Sequence, residues 1–341
     1  NWVARYDPTD LMSTMYGRAN SQKHSINISG ADEKFSYMAS LGFADNNSQL
    51  QVAEDGEKKY SGRLNADFQA NRYLKFETGM SYEVRNITTP NTDIGAGYFD
   101  PWFWPVYNEE GQFYDTFSGL RNPIGGLVGG GQNKTDFNTT RMNMKVIYDV
   151  SKLLPGLSLS ASGAYKKVEK NIQEFKKSIQ YYDWNGNPTG LRDNGVSEGA
   201  SLKETYNTWT GTTLGGFADY STTFLKDHSI SAMIGLTAEQ EDWKRIHTGR
   251  QKGLLYPDSD LVDLNVLGGG DNNISDGGQS SWGFVSVVSR LNYNFSDRYL
   301  VELLGRRDGS SKLSLEQQWK NFYAISGAWV LTGEEFMKSA D

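Results

Sequence analysis

Arg63-Leu64-Asn65-Ala66-Asp67-Phe68-Gln69-Ala70-Asn71-Arg72-Tyr73-Leu74-Lys75-Phe76-Glu77-Thr78-Gly79-Met80-Ser81-Tyr82-Glu83 alternates between polar or small side chains and more apolar ones. Successive side chains of a strand point to opposite faces, so Leu64, Ala66, Phe68 and Ala70 share one face and Arg63, Asn65, Asp67 and Gln69 the other. After Asn71-Arg72 the pattern resumes, with Leu74, Phe76, Thr78, Met80 and Tyr82 opposite Lys75, Glu77, Gly79, Ser81 and Glu83. The stretch predicts a hairpin with one side suited to hydrocarbon and the other to water.

The same period runs outward in both directions. Phe35 to Phe43 repeats it, as do segments near 23–29, 140–148, 157–165, 214–220, 228–238, 285–295, 299–307 and 323–331. This gives about eleven strands, each near the ~9–11 residues that a tilted strand needs to cross a bilayer. Brief turns are predicted near 30–34, 71–73, 151–156, 223–227 and 296–298. Between them lie long connections near 44–58, 84–137, 167–205, 240–281 and 308–320, rich in Gly, Asn, Asp and aromatics. Loops beyond ~12–15 residues are uncommon in compact soluble domains, whereas short periplasmic turns facing long outer loops are the usual layout of outer-membrane barrels. Residues 1–341 are therefore read as a portion of one all-β domain, a transmembrane antiparallel β-barrel, with those connections extracellular.

A soluble β-sandwich or propeller also produces many alternating strands. The positions of Tyr37, Phe43, Tyr82, Tyr148, Tyr165, Tyr220, Tyr293 and Tyr299, near predicted strand ends on the apolar face, favour an interfacial girdle. Simple strand propensity would also enrich Tyr and Phe, so position is the stronger argument.

Composition agrees with a wet barrel. Hydrophobic residues make up 37% of the chain, yet it holds 37 Gly, 19 Tyr, 16 Phe and 9 Trp. A wide barrel needs only one lipid-facing band and keeps its lumen polar. No run approaches the ~18 apolar residues of a spanning helix, which excludes a helical membrane protein. There is no Cys, so disulfides and thiolate chemistry are out, and a net charge of -7 without basic clusters argues against nucleic acid as a partner. Asn1-Trp2-Val3-Ala4-Arg5 lacks a signal-peptide layout. The expectation is an interior portion of a longer protein.

Catalytic motifs are absent, and neither a metal nor a cofactor is expected. His24, His228 and His247 are far apart in sequence. Gly129-Gly130-Gly131-Gln132-Asn133-Lys134-Thr135 lacks the Gly-Lys-Thr ending and following helix of a phosphate loop, and reads as a flexible loop. Gly270 to Gly277 offers oxygen ligands without EF-hand spacing and is read as turns. The candidate binding residues are aromatic: Phe99, Trp102, Phe103, Trp104 and Tyr107 in one predicted outer loop, and Tyr181, Tyr182 and Trp184 in another. Such rings suit sugars, peptide side chains or a protein partner, and equally suit packing of the loop on itself.

Ser289-Arg290-Leu291-Asn292-Tyr293-Asn294-Phe295-Ser296-Asp297-Arg298-Tyr299-Leu300, continuing to Arg306-Arg307-Asp308-Gly309-Ser310-Ser311, resembles the barrel signature of SusC/RagA-type TonB-dependent transporters. Ala328-Trp329, Glu334-Glu335-Phe336-Met337, His24 to Gly30 and Lys226 to Ile230 are similar to that family too, so the likeness covers nearly the whole chain. One departure is Lys312-Leu313-Ser314, where the family usually carries Phe-Gly after a basic residue. The resemblance implies a barrel of about 22 strands, with an N-terminal plug and a TonB-binding segment that lie outside this chain. It also implies active import of oligosaccharides or oligopeptides across the Gram-negative outer membrane, with TonB, a SusD-like surface lipoprotein and the lipid bilayer as partners.

Arg290, Arg298, Arg306, Arg307 and Asp308 carry the motif. Arg298 is placed in a short turn at a membrane rim, and Arg290, Arg306 and Asp308 on or beside the lumenal register; lumenal charge pairing and simple turn and strand geometry both stay open. A passive porin or adhesin barrel and a soluble carbohydrate-binding β protein are the alternatives.

Overall fold

The computed structural model describes residues 11–91, 105–115, 122–192, 200–251 and 273–337. Its strands are β1 (Ser21–Ala31), β2 (Phe35–Asn47), β3 (Gly56–Asn71), β4 (Leu74–Pro90), β5 (Gln132–Asp149), β6 (Leu157–Lys177), β7 (Ile179–Tyr182), β8 (Pro188–Arg192), β9 (Ala200–Phe224), β10 (His228–Gln251), β11 (Asn273–Phe295), β12 (Tyr299–Ser310) and β13 (Trp319–Trp329). Eleven of them form one antiparallel sheet in chain order, β6 pairing directly with β9, while β7 and β8 form a separate hairpin. Each of the eleven alternating segments of the sequence lies mainly within one strand of this sheet.

The short turns have local causes. Asp32 Oδ1 accepts from the N–H groups of Lys34 and Phe35, both at 2.8 Å. Asn71 Oδ1 accepts from Tyr73 N–H, and Asp149 Oδ1 from Ser151 N–H, at the same distance. These side chains imitate a backbone turn. In the other two turns the backbone is left-handed, at Leu225 and Lys226 (φ 49° and 66°) and at Ser296 and Asp297 (φ 53° and 55°). Non-glycine residues rarely adopt that conformation, so tertiary contacts must hold it. Ser296 N–H donates to Asp227 O at 2.7 Å, and Asn294 Nδ2 donates to Asp297 Oδ1 at 2.5 Å.

Cross-strand pairing assembles the apolar residues into continuous rows. Phe35, Phe68, Phe76, Val146 and Ala161 are consecutive partners across five strands. Higher up, Ile28, Ala39, Leu64, Met80, Met142 and Tyr165 form another row. Further round, Ile234, Leu236, Leu291, Leu303 and Ile325 continue the same face. Large side chains on it are exposed, Leu41 at 67% and Ile325 at 77%. No second layer covers this sheet face among the described residues.

The band has sharp ends. Along β10 the outward register reads His228, Ile230, Ala232, Ile234, Leu236 and Ala238, then turns polar at Gln240, Asp242 and Lys244. On β3, Phe68 and Tyr60 bracket it eight residues apart, or ~27 Å along the strand; at a ~40° tilt that spans ~21 Å, close to the ~25 Å apolar band of such barrels. Aromatic rings mark the short-turn rim. Phe224 and His228 stack at 5.1 Å, His228 meets Phe295 at 4.7 Å, and Phe295, Tyr299, Trp329 and Phe336 follow at 6.1, 6.4 and 6.5 Å. At the other rim Phe43 packs on Tyr60 at 5.1 Å.

The strands are longer than the sequence predicts, reaching 25, 24 and 23 residues in β9, β10 and β11. The ends of the ranges 84–137, 167–205 and 240–281, read as loops, are strand that continues beyond the apolar band. There the outward register turns polar as well, as at Gln240, Asp242 and Lys244, so the two-residue alternation that reveals a half-buried strand disappears. Two further readings are corrected. Gly129 to Gly131 is not a flexible loop: Gly129 ends helix α2 (Pro123–Gly129), and Gln132 begins β5. Asn273 to Gly277 belongs to β11 rather than to turns, and 270–272 lie outside the described residues.

The compact hydrophobic core sits at the long-loop rim. Leu11 and Met15 of helix α1 (Leu11–Met15) pack with Leu50, Val106, Ile124 and Leu127. Asn122 caps α2, its Oδ1 accepting from Gly125 N–H at 3.1 Å while its Nδ2 donates to Val106 O at 2.7 Å. Proline at the first helical position completes the start, so a glycine-rich segment becomes helical where Ile124 and Leu127 can be buried.

Candidate functional site

The face opposite the apolar rows is polar and internally paired. Lys59 meets Glu83 at 2.8 Å, Arg85 meets Glu57 at 3.7 Å, and Lys75 bridges Asp67 and Glu77 at 3.3 and 2.6 Å. Arg290 meets Glu302 at 3.6 Å, and Arg245 pairs with Asp276. Arg306 Nε donates to Asp308 Oδ1 at 2.5 Å, and its Nη2 reaches the buried Ser286 Oγ at 3.4 Å. Arg290, Arg306 and Asp308 thus stand on this charged face. Arg307, one residue out of phase, stands on the other, with its guanidinium 5.3 Å from the Trp319 ring. Glycine at 309 permits this, because a Cβ there would lie 2.9 Å from that indole.

Arg298 leaves the short turn and donates to Glu334 Oε2 at 3.0 Å. The other oxygen of Glu334 accepts from the Tyr299 hydroxyl at 2.5 Å and the Trp329 indole at 3.0 Å. The Tyr299 hydroxyl first, then Trp329 and Arg298, hold the Glu334 carboxyl below its usual range. Sequence motifs thirty-odd residues apart therefore form one cluster, fastening the end of β13 to the rim. The sequence reading singled out Arg298 and quoted Glu334 only within a motif, with no role; the signal available was the joint occurrence of the two motifs.

The three histidines stand apart. His24 faces the Phe43 ring at 6.3 Å, His228 belongs to the rim aromatics, and His247 Nδ1 shares a 2.7 Å hydrogen bond with Thr205 Oγ1.

At the long-loop rim the aromatic candidates divide. Phe99, Trp102, Phe103 and Trp104 lie outside the described residues. Tyr107 stacks on Phe113 at 5.4 Å and keeps 44% exposure. Tyr181 is only 3% exposed, packed on Phe113 at 6.4 Å, so it belongs to the interior of the cap. Tyr182 bridges to Tyr114, whose ring meets Trp184 edge-on at 5.6 Å, and Trp184 Nε1 donates to Glu109 at 3.1 Å. Asp183 accepts from Asn187 and Asn185, with the Asn187 side chain the main cause of its lowered pKa. The loops thus fold into a cap, and of the candidates among the described residues Tyr107, Tyr182 and Trp184 keep part of their surface exposed.

Sequence reasoning also passed over Trp209, Trp243 and Trp282. All three lie on the charged face, in strand extensions above the apolar band. Trp243 falls in a range read as a loop, and Trp209 and Trp282 in the short stretches between such ranges and the predicted strands, so no register was assigned to them.

A sheet that is apolar and ringed with aromatics outside, ion-paired inside, with tight turns at one rim and a folded cap at the other, is the wall of a transmembrane β-barrel. No protein-family model matches the chain. TonB-dependent receptor P26 of Formosa agariphila is 26% identical over the whole chain, and TonB-dependent receptor SusC of Bacteroides thetaiotaomicron 24% over 98% of it. The chain spans 33% of the length of each of these relatives. The RagAB peptide importer in its closed-closed state superposes with a TM-score of 0.77 over 98% of this chain and 36% of its own, at 17% identity, a likeness of fold. Across nearly its entire length, then, the chain resembles the barrel region of SusC/RagA-type TonB-dependent outer-membrane transporters. The relatives carry the names of receptors and an importer, not of enzymes.

Proposed function

We propose that this chain forms part of the wall of an active importer for bulky nutrients, oligosaccharides or oligopeptides, in the Gram-negative outer membrane. The observation that carries the reading is the pairing of a lipid-suited face with an ion-paired lumenal face in one continuous sheet. On this reading strands beyond β1 and β13 complete a barrel of about 22 strands. A plug domain elsewhere in the protein blocks the lumen, TonB pulls on it to drive uptake, and a SusD-like lipoprotein closes over the cap. Support for the energised mechanism and the lid comes from the TonB-dependent receptors that match the chain along its length.

The test is made in the native cell with a tagged full-length protein. Recovery in the outer-membrane fraction with a co-purifying surface lipoprotein, and growth on the imported nutrient that stops when TonB is removed, is the expected result. Uptake that survives loss of TonB would place the protein among passive pores, and recovery without detergent would remove it from the membrane.

A further inference from the structure

Three of the chain's nine tryptophans meet on the lumenal face of the strand extensions. Trp209 of β9 and Trp243 of β10 are direct cross-strand partners. In the next row toward the membrane, Lys166, Gly211, Glu241 and Trp282 stand side by side on β6, β9, β10 and β11. These residues outline an open cavity of about 360 Å³, within the ~300–1,000 Å³ of small-molecule sites. Trp243 lies fifteen residues above His228, ~51 Å along the strand, which at a tilt of ~40° is well beyond a ~25 Å apolar band. The cavity therefore opens to the outer vestibule.

Two glycines shape it. At Gly211 a Cβ would find no atom nearer than 3.9 Å, so the floor between Lys166 and Glu241 is open. At Gly278 a Cβ would come within 3.3 Å of the Trp243 ring, so the missing side chain lets that indole lean onto β11. Lys312 sets the third ring, its Nζ lying 4.2 Å from the centre of Trp282. Trp209 keeps 39% exposure on a face that also carries the ion pairs. An indole buries ~150–250 Å² when covered, so leaving Trp209 in water on a polar wall beside two half-buried indoles gains nothing without an occupant.

We propose that this cavity is a saccharide subsite, taking one ring of a neutral oligosaccharide. A sugar ring has apolar C–H faces and a rim of hydroxyls that both donate and accept. The cavity offers indole faces beside an ammonium donor, Lys166, and a carboxylate acceptor, Glu241. A charged peptide group would meet one like charge in the same row, whereas hydroxyls use both. The proposal rests on the importer reading and names its substrate class.

The test uses the purified full-length protein in lipid nanodiscs. Titration calorimetry is run with glucose, mannose, galactose and xylose hexasaccharides, and with a pool of unmodified decapeptides. A hexasaccharide should bind, and Trp243→Ala should weaken it about tenfold. Gly211→Leu fills the floor without touching a tryptophan and should weaken binding to a similar degree, while Trp243→Phe should retain most of it. Saccharide binding unchanged in both Trp243→Ala and Gly211→Leu would overturn the subsite and leave the importer intact. Binding of decapeptides alone, or of neither class, would overturn the saccharide assignment. Failure of the importer reading is seen separately, in fractionation and TonB dependence.

Discussion

Glu334 accepts from three side chains that reach it from the β11–β12 turn, the start of β12 and the end of β13. Its depressed pKa fixes the sign of a pH effect. The fold favours the ionised form, so this contribution to stability is complete above the unfolded carboxylate pKa of ~4.3 and is lost as pH falls through the lower folded value. Hydrogen-exchange protection over 331–337, taken relative to the intrinsic rate at each pH, should therefore fall below about pH 4, and Glu334→Gln should bring the weaker protection at neutral pH. Equal exchange in variant and parent would show that the cluster holds nothing in place. The neighbouring motif separates in the same residue-by-residue way: Arg306 and Asp308 pair toward the lumen while Arg307 lies against Trp319 on the outer face. A shared sequence signature thus has no single role.

Strands divide into a membrane-crossing part and an extension, and the sequence reveals only the first. In β10 the alternation from His228 to Ala238 is unmistakable, and the strand and its partners were legible from it. Beyond Ala238 the outward register turns polar, the period vanishes, and thirteen further residues of strand go unseen along with Trp243. The burial of the candidate Tyr181 was hidden for another reason. Burial of Tyr181 depends on Phe113 and on the cap assembled around α2, contacts between distant segments that carry no local period. Alternation does make an energetic prediction. Leu64 lies near the middle of the outward band, so Leu64→Arg should cost ~2–4 kcal/mol in unfolding of the full-length protein from lipid vesicles. Ser61→Arg, on the lumenal face opposite Glu83, should change stability by less than ~1 kcal/mol. Equal costs at the two sites would contradict the assignment of faces.

At the scale of the molecule, two structures are joined: a sheet whose residues pack on membrane and water, and a cap that holds the buried cluster around Met15, Ile124 and Leu127. They should fail separately. Ile124→Ala, at a side chain only 1% exposed, should cost the cap ~2–5 kcal/mol and open 105–115 and 122–129 to protease while the sheet stays resistant. Cooperative loss of both would show one folding unit. The central claim is that one side of the sheet lies in hydrocarbon. The chain has no Cys, so thiols can be introduced one at a time along β10 from Ser229 to Ala238, omitting Gly235, where a Cβ would meet the Phe217 ring. With nitroxide labels on the full-length protein in lipid, oxygen should reach positions 230, 232, 234, 236 and 238 preferentially, and a water-soluble nickel chelate positions 229, 231, 233 and 237. Accessibility with no two-residue period, or even-numbered positions shielded from both reagents, would contradict it.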